Sequence, residues 1–365
     1  MPTSRLHISL DAITKNYKSL DALSDGLCHT GAAVKANAYG LGMKMIAPAL
    51  HRTGCRYFFV ARLEEGVQLR EQFQAEGLEA NIIVLDGPRA NEMNEYTAFG
   101  ITPTLNHRAQ PTLLRSEAVR TQVSQRVFLH VDTAMNRLGM SASEAREFLR
   151  APEDEITVSY IMSHLACADE PEHSLNMKQQ QRLRDVCNYA PHIPISLANS
   201  GGIFLGSDYQ HQLARPGISL YGSAPDDSAS SILHPVIKWE ADILQIAEIP
   251  AGSTIGYGAS YRAKTNMTIA TIGAGYADGY PRALSNTSFV EICGIKLPVI
   301  GRVSMDLITV DISSLSLTQR ETATHAILIG THYSLSQMAA DTGTISYEIL
   351  TGLGARLSRH YDSPT

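Results

Sequence analysis

The first two-thirds of the chain alternate between short apolar runs and segments with helical periodicity. Helical segments such as "MKMIAPALHRTG" and "RLEEGVQLREQFQAEG" separate apolar runs that have the length of buried strands. Eight such runs precede residue 225: "GAAVKA", "YFFVA", "NIIVLDG", "ITPTLN", "RVFLHVD", "ITVSYIMSHL", "PISLANS" and "HQLARPGISLYG". Successive strand and crossover units of this number predict an α/β fold, a (β/α)8 TIM-type barrel. A doubly wound open sheet is the alternative, which the lack of a G-x-G-x-x-G turn after the first run disfavours.

From Pro235 onward the pattern changes to short strands separated by glycine and proline, which predicts a mainly antiparallel β domain. The polar stretch Pro225–Ser231 is the candidate boundary. We therefore predict a barrel over residues 11–228 and a C-terminal β domain over residues 229–365, joined by an N-terminal strand within residues 1–10. One short helix, "SLSQMAADTG", is predicted late in the β domain.

Composition and charge exclude several classes of protein. The 365 residues, 44% hydrophobic and 18% charged, are typical of a globular protein with two domains. A formal charge of −6 without any run of lysine or arginine argues against nucleic acid or a membrane surface as partner. The five cysteines form no C-x-x-C pair, so neither a metal site nor a disulfide framework is predicted. The N-terminal segment lacks the apolar core of a signal peptide, and no stretch has the length of a membrane span, so we expect a cytoplasmic protein.

A lysine interrupts the first apolar run. Lys35 follows the apolar residues 32–34, and in a (β/α)8 barrel the carboxyl ends of the strands form the active site. The simple interpretation is a strand-end lysine whose ammonium reaches water. The alternative is an amine that the low dielectric constant of such a site activates as a nucleophile, by lowering its pKa.

Polar residues recur at the ends of the later predicted strands. They are His130, Asp132, Arg137, His164, Asn199, Ser200 and Arg215. A single histidine at a strand end is more often a hydrogen-bonded structural residue, but several polar strand ends with adjacent glycines favour a binding site. The segments "NSGG" and "RPGIS" follow the seventh and eighth predicted strands, where barrels bind phosphate through backbone N–H groups; tight turns are the alternative. A nucleophilic lysine beside a phosphate site indicates pyridoxal phosphate held as a Schiff base.

The segment "AAVKANAYGLG" resembles the cofactor-lysine motif of the alanine racemases, a fold type III family that uses pyridoxal 5'-phosphate. Further segments resemble that family in the same order along nearly the whole chain: "HVDTAMNRLGM", "SHLACADEPEH", "LANSGGIF", "RPGISLYG", "TIGYGASYR", "IGAGYADGYPR", "GRVSMDLITVD" and "TISYEI". The resemblance implies an isomerase that interconverts L-alanine and D-alanine through an aldimine of the cofactor, and that supplies D-alanine for peptidoglycan.

The resemblance also implies a role for each matching residue. Lys35 would form the aldimine and act as one acid–base group, and Tyr257 would act as the second, reaching the barrel of the partner in a homodimer. His164 would support Arg215, which would face the pyridine nitrogen. The implied cofactor site consists of Lys35, Tyr39, His164, Asn199, Ser200, Arg215, Gly217, Ile218 and Tyr347. The implied substrate site consists of Arg137, Tyr276 and Met305, with Tyr276 narrowing the entrance.

The chemistry of racemisation agrees with these roles. A proton must leave one face of Cα and another must reach the opposite face, which requires two bases. The ordinary pKa values of lysine and tyrosine are about 10, so burial or nearby cations must lower both. Because the Arg215 guanidinium keeps its proton, we expect the pyridine nitrogen to stay unprotonated, which weakens the ring as an electron sink and favours return of a proton to Cα over transamination.

Two positions depart from the family pattern. Ala134 stands in "DTAM" where many members have glycine, a replacement expected to have little effect. His130 stands where many members have a lysine that is carboxylated on its side chain. Because an imidazole does not carry that carbamate, we expect a bound anion or another acidic group to orient Arg137.

Other functions are distinguished by particular residues. A decarboxylase with this barrel and cofactor needs an acidic partner for the pyridine nitrogen, where this chain has Arg215. A non-catalytic cofactor-binding barrel lacks the β domain that contains Tyr257. A broad-specificity or serine racemase of the same family differs only in a few pocket side chains and stays the main alternative. If Tyr257 acts in the partner's site, only the homodimer is active.

Overall fold

A computed structural model describes residues 3–24, 26–151, 154–224 and 229–362 of the chain. Contacts group the chain into two units, Ala12–His234 and Met1–Asp11 with Pro235–Thr365. The predicted boundary stretch includes residues 225–228, which lie outside the described residues. The domain limits at residues 228 and 229 therefore stay a prediction.

The strands, in chain order, are β1 Ser4–Ile8, β2 His29–Thr30, β3 Ala32–Ala33, β4 Tyr57–Val60, β5 Asn81–Val84, β6 Thr102–Leu105, β7 Gln125–His130, β8 Ile156–Met162, β9 Ile195–Ser196, β10 Leu213–Ala214, β11 Ile237–Ile249, β12 Thr254–Ile255, β13 Tyr261–Arg262, β14 Met267–Ile272, β15 Phe289–Ile292, β16 Ile295–Ile300, β17 Ile308–Asp311, β18 His325–Ile329 and β19 Ser358–Tyr361. The helical segments are α1 Leu10–Ala22, α2 Lys35–Tyr39, α3 Met43–Thr53, α4 Leu63–Ala75, α5 Met93–Ala98, α6 Gln110–Thr121, α7 Ala142–Arg150, α8 Ser174–Cys187, α9 Ser200–Phe204, α10 Ser207–Gln210, α11 Leu317–Thr322, α12 Leu335–Asp341 and α13 Ser346–Thr351. No helix in the described part of the chain is both long enough and apolar enough to cross a membrane.

Parallel strands form the sheet of the unit Ala12–His234, in the order β3-β4-β5-β6-β7-β8-β9. Backbone bonds close this sheet through β10: the N–H of Arg215 donates to Ala198 O at 2.8 Å, and the N–H of Gly31 donates to Ala214 O at 2.9 Å. These bonds connect the last strand to both its neighbours, so the sheet forms a barrel. The predicted barrel strands are confirmed as β3 to β10, and the open-sheet alternative is wrong.

The strands of the barrel are buried on both faces, which explains why they appear in the sequence as continuous apolar runs. Phe58, Phe59 and Val60 of β4 are all fully buried. In neighbouring strands, the ring of Phe128 stacks on that of Tyr160 with centroids 4.9 Å apart. Side chains on both faces of these strands are therefore mostly apolar and packed, and polar side chains occur at the strand ends.

The unit that contains the C-terminal residues is built on a second sheet, in the order β14-β17-β16-β15-β18-β11-β1-β19. Its pairings are antiparallel, except that β1 runs parallel to β19. The buried Trp239 of β11 donates its Nε1–H to Ser4 Oγ at 2.7 Å, which fastens β1 to this sheet. The predicted mainly antiparallel domain and its helix α12 are confirmed, whereas the short helices α11 and α13 were not predicted.

Candidate active site

Lys35 lies two residues beyond the paired part of β3. The ladder ends at Ala33, although the backbone N–H of Val34 still donates to Phe59 O at 2.9 Å. The Lys35 side chain is half-buried. Burial and the nearby Arg137 guanidinium lower its pKa, more than neighbouring carboxylates raise it. A lysine with a lowered pKa has a larger share of free amine at neutral pH, as a nucleophile or base requires.

A left-handed turn follows Lys35. Each residue of Ala36–Tyr39 has a φ between 51° and 55°, a conformation that costs a non-glycine residue roughly 1–2 kcal/mol. The side-chain Oδ1 of Asn37 accepts the backbone N–H of Met43 at 2.9 Å, which fixes the exit of the turn. The turn leads Tyr39 back to the core, where its ring lies 4.8 Å from that of Tyr221.

Tyr39, Ser200 and Gly217 are brought together near the ends of β9 and β10. The backbone N–H groups of Gly217 and Ser219 donate to Ser200 Oγ at 2.9 and 3.3 Å. These bonds use both acceptor positions of the hydroxyl, so its O–H can donate to another group. A Cβ at Gly217 would lie 2.2 Å from the Tyr39 hydroxyl oxygen, so only glycine fits there. The next residue, Ile218, is buried.

The amide of Asn199 fixes the position of Ser200. Its Oδ1 accepts the backbone N–H of Gly202 at 2.9 Å, and its Nδ2 donates to Leu165 O at 3.3 Å. Asn199 thereby caps α9, of which Ser200 is the first residue. A hydroxyl donor beside a closely approaching glycine backbone is a typical phosphate environment. The residues present therefore fit the phosphate of the predicted cofactor.

Arg215 is buried, and its guanidinium donates mainly to uncharged oxygens. The acceptors are Ser163 O at 2.5 Å, Ser196 Oγ at 2.6 Å and Leu197 O at 3.3 Å. Among the described residues no carboxylate forms an ion pair with Arg215. Burial lowers its pKa to about 10, so it keeps its charge at neutral pH.

His164 is held against this guanidinium in its neutral form. Its Nδ1 lies 3.5 Å from Arg215 Nη2, which donates to it. The proton of the neutral ring is therefore on Nε2. Burial, followed by the charge of Arg215, lowers the pKa of His164 well below its ordinary value. Ser163 and Ser196 contribute shorter bonds to Arg215 than this contact, and the support of Arg215 by His164 stays a prediction.

His130, unlike His164, is buried, and its ring is likewise neutral. Its Nδ1 lies 2.7 Å from Asn106 Oδ1, and the Nδ2 of the same amide donates to Leu85 O at 2.9 Å. Because that second bond fixes the orientation of the amide, His130 must donate from Nδ1, and its Nε2 carries no proton. Burial, followed by the charge of Arg215, lowers the pKa of His130 to about 4.

Arg137 is exposed and forms no ion pair within the described part of the chain. The nearest acid in sequence, Asp132, uses its Oδ1 to accept the backbone N–H groups of residues 134–136 at 2.9 to 3.1 Å. Within the described residues no carboxylate is paired with Arg137, so the expectation of another acidic group stays a prediction. The bound anion stays a prediction.

Tyr257, Tyr276, Met305 and Tyr347 lie in the other unit, and all four side chains are exposed within the chain. Tyr257 is 72% exposed, on a turn between two glycines with φ of 72° and 69°. The N–H of Tyr276 donates to Ser304 O at 3.1 Å, and the next N–H donates to Met305 O at 3.0 Å. Tyr276 and Met305 are thus presented by adjacent segments.

Comparison with known proteins assigns both units to one family. Residues 8–225 match the alanine racemase N-terminal domain, and residues 236–361 match the alanine racemase C-terminal domain. The chain belongs to the alanine racemase family. It is 41% identical over 365 residues to a protein of Agrobacterium fabrum named alanine racemase, catabolic, covering 99% of this chain and 93% of that one. It is also 41% identical to the alanine racemase of Cereibacter sphaeroides, covering 99% of each chain.

Solved structures of alanine racemases have the same fold. The enzyme of Bartonella henselae, described with covalently bound pyridoxal phosphate, superposes with a TM-score of 0.92 at 39% identity over 99% of both chains. The biosynthetic alanine racemase of Pseudomonas aeruginosa superposes with a TM-score of 0.89 at 30% identity over the whole of both chains. The fold expected from the family resemblance is confirmed.

The alanine at the family's glycine position carries strain that the sequence did not suggest. Ala134 has a φ of 114°, which favours glycine. We predict that Ala134→Gly raises the free energy of unfolding by about 1 kcal/mol, because relief of roughly 1–3 kcal/mol of strain exceeds the entropic cost of glycine. Urea denaturation measures the change. Ala142→Gly, in the regular helix α7, is the control and should lower the stability by up to about 1 kcal/mol; a loss for both variants would contradict the strain.

The lowered pKa values of His130 and His164 make this alanine racemase fold sensitive to acid. The pKa of His130 is about 4 in the folded chain and about 6.5 when unfolded. Between these values the unfolded chain takes up a proton that the folded chain excludes, so stability falls as the pH falls, by on the order of 3 kcal/mol for this group. His164 adds to the loss with the same sign. Denaturation midpoints from pH 8 to 4 should decline less steeply for His130→Gln, and equal slopes would contradict the assignment.

Several residues of the site were not predicted. Asn106 ends the fourth predicted strand, Ser163 precedes His164, and Ser196 lies within β9. All three stand at strand ends, but only Ser163 is adjacent in sequence to a predicted site residue. Glu65 was also missed, although two glutamates at the start of α4 are a helix N-terminal signal.

Proposed function

We propose that this chain interconverts L-alanine and D-alanine with pyridoxal phosphate bound through Lys35. The observation that carries the proposal is a half-buried lysine with a lowered pKa at a barrel strand end, in a fold that also contains the Ser200–Gly217 phosphate environment. Membership of the alanine racemase family supports the same reaction, as does the covalently bound cofactor of the Bartonella henselae relative.

The residues that would hold the cofactor divide by the part they contact. Tyr39, Ser200, Gly217, Ile218 and Tyr347 would hold the phosphate, with Asn199 fixing Ser200. Arg215 would face the pyridine nitrogen with His164 beside it. When bound, pyridoxal phosphate supplies an electron sink that makes the Cα–H of an amino acid acidic. All other steps fall to side chains of the protein.

Two side chains would move the proton. Lys35 would act on one face of Cα through Nζ, and the partner subunit's Tyr257 would act on the opposite face through its hydroxyl. The lowered pKa of Lys35 supports its role, because it increases the share of free amine that can accept a proton. The exposure of Tyr257 supports its role, because an exposed tyrosine is available to a second copy of the chain. A homodimer follows from this proposal.

Arg215 would select the reaction. Its guanidinium is charged and hydrogen-bonded to neutral acceptors, so it would donate to the pyridine nitrogen without protonating it. Arg215 would thereby favour rapid return of a proton to Cα over transamination. The lack of a carboxylate here disfavours the decarboxylase alternative.

The substrate site would use Arg137 and Met305 to position the carboxylate, with Tyr276 narrowing the entrance. A small side chain is therefore expected, and alanine is the smallest chiral choice. Serine differs by one hydroxyl, which an apolar pocket rejects only weakly. A broad-specificity or serine racemase is accordingly the second candidate.

D-alanine is a component of peptidoglycan, so the proposed role is to supply it. The relatives include proteins named catabolic and one named biosynthetic, and growth of a D-alanine-requiring bacterium that carries this chain would test the role. The cytoplasmic location stays a prediction, which cell fractionation would test.

The test of the reaction is the optical rotation of L-alanine with purified protein and added pyridoxal phosphate. We expect the rotation of L-alanine to decay to zero, and that of L-serine to decay more slowly under the same conditions. A constant rotation with L-alanine and decay with L-serine would favour the second candidate. No decay with either would contradict the proposed function.

A further inference from the structure

Glu65 joins the ends of the first two barrel strands of this site. Its Oε1 accepts the backbone N–H of Ala36 at 2.5 Å. Its Oε2 accepts the backbone N–H groups of Ala61 and Arg62 at 2.8 and 3.2 Å. Ala36 directly follows Lys35, whereas Ala61 and Arg62 connect β4 to α4. One carboxylate thus links the turn after Lys35 to the next strand.

The bond to Ala36 lies where the backbone is strained. Ala36 is the first of the four left-handed residues after Lys35, and its φ is 51°. The Ala36 N–H donates to the Glu65 carboxylate, and hydrogen bonds to a charged acceptor are stronger than those between neutral groups. Removal of Glu65 would remove this bond. Glu65 therefore offsets part of the strain at the residue next to the reactive lysine.

A second glutamate, Glu144, caps its own helix but forms no bond to another strand end among the described residues. Glu144 also stands at the third position of its helix, where its Oε2 accepts the backbone N–H of Ser141 at 2.9 Å and the hydroxyl of Ser141 at 2.8 Å. Capping its own helix therefore needs one oxygen. Glu65 caps α4 with one oxygen and uses the other for the turn after Lys35.

We propose that Glu65 is a positioning residue, which holds the left-handed turn at Ala36 so that Lys35 Nζ is presented to the cofactor aldehyde. This inference rests on the proposed function of Lys35. The charge of Glu65 also acts on the Lys35 ammonium, in the direction that raises its pKa. The role nevertheless follows from the hydrogen bonds, which a carboxylate can form on both sides and an amide cannot.

Glu65→Gln tests this asymmetry with little change in shape. The amide has one acceptor oxygen and one NH2 group, so it can keep the cap of α4 or the bond to Ala36 but not both. Glu144→Gln is the matched control, since its amide oxygen can keep both bonds to Ser141. Ala36→Gly in the Glu65→Gln background is the rescue, because glycine adopts positive φ without strain and needs less support.

The readout is the share of Lys35 joined to pyridoxal phosphate. Lys35 Nζ adds to the aldehyde carbon and water leaves, and borohydride then delivers hydride to that carbon while the nitrogen takes a proton. The resulting secondary amine is stable and is measured on the Lys35 peptide by mass spectrometry, over a range of cofactor concentrations. Thermal unfolding of each variant is measured alongside.

Glu65→Gln is expected to need about tenfold more cofactor for half-labelling, the effect of losing one hydrogen bond to a charged group, while Glu144→Gln stays within about twofold of the wild type. The Ala36→Gly rescue should recover most of the loss. Equal labelling of wild type and Glu65→Gln would overturn the proposal. So would a loss that follows stability alone and that Ala36→Gly leaves unchanged. If the wild type itself takes no label on Lys35, the proposed function fails instead.

Discussion

Lys35→Ala is expected to lower kcat/KM for L-alanine by on the order of 10⁴-fold or more, because it removes an acid–base group and the covalent attachment of the cofactor together. The fold should survive, since Lys35 is half-buried and the turn after it is held by Glu65 and Asn37. Racemisation is followed by optical rotation, with the circular dichroism spectrum of the protein as a check on folding.

The control for this variant is Lys44→Ala. Lys44 is exposed in α3, a few residues beyond the turn, and its removal should leave the rate within about twofold of the wild type, as is usual for surface positions. A Lys35→Ala protein that keeps more than about 1% of the activity with added cofactor would contradict the role of Lys35, because general acid–base catalysis alone contributes at least about 10²-fold.

Tyr257→Phe is expected to be nearly as damaging, and the loss should be reversible by mixing. The variant removes one hydroxyl from an exposed turn, so stability should not change by more than about 0.5 kcal/mol. Racemisation should fall by about 10²-fold to 10⁴-fold, the contribution of a positioned acid–base group. The measurement is activity after the Lys35→Ala and Tyr257→Phe proteins are unfolded together and refolded.

In such a mixture one site of each mixed dimer combines an intact Lys35 with an intact Tyr257 of the partner subunit. Random pairing of equal amounts gives about a quarter of the wild-type sites. Activity near that level would support action across the dimer. Mixed dimers that form, as shown by differently tagged subunits, but remain inactive would contradict it.

The barrel could be predicted because its strands are buried on both faces. Such strands appear in the sequence as continuous apolar runs such as "YFFVA". The strand β4 covers Tyr57–Val60 as expected. The candidate site could be located because polar residues are excluded from these runs and occur at the ends of the strands. Lys35, His164 and Arg215 all stand out in this way.

The left-handed turn at Ala36–Tyr39 could not be predicted from the residues that form it. Alanine and tyrosine do not favour positive φ, so the conformation depends on bonds from elsewhere in the fold, such as that of Glu65. Local sequence does not contain such tertiary constraints.

The helix α11 could have been predicted, because Ser316 and Gln319 form a capping box at its start. The partner of His130 is different. Asn106 lies 24 residues away, at the end of the neighbouring strand β6, and only the barrel pairing brings the two side chains together. The neutral state of His130 therefore follows from the fold and not from its sequence neighbours.

The central claim, two bases on opposite faces of Cα, is tested most directly by racemising L-alanine in D2O. The hydrogen at Cα of the first D-alanine formed is measured by mass spectrometry before much substrate is consumed. With two bases, we expect nearly all of this D-alanine to carry deuterium, because one group removes the original proton and the other group delivers a proton from solvent. The remaining L-alanine is expected to keep its hydrogen. D-alanine that retains the original hydrogen would show transfer by a single group and would contradict the pairing of Lys35 with Tyr257.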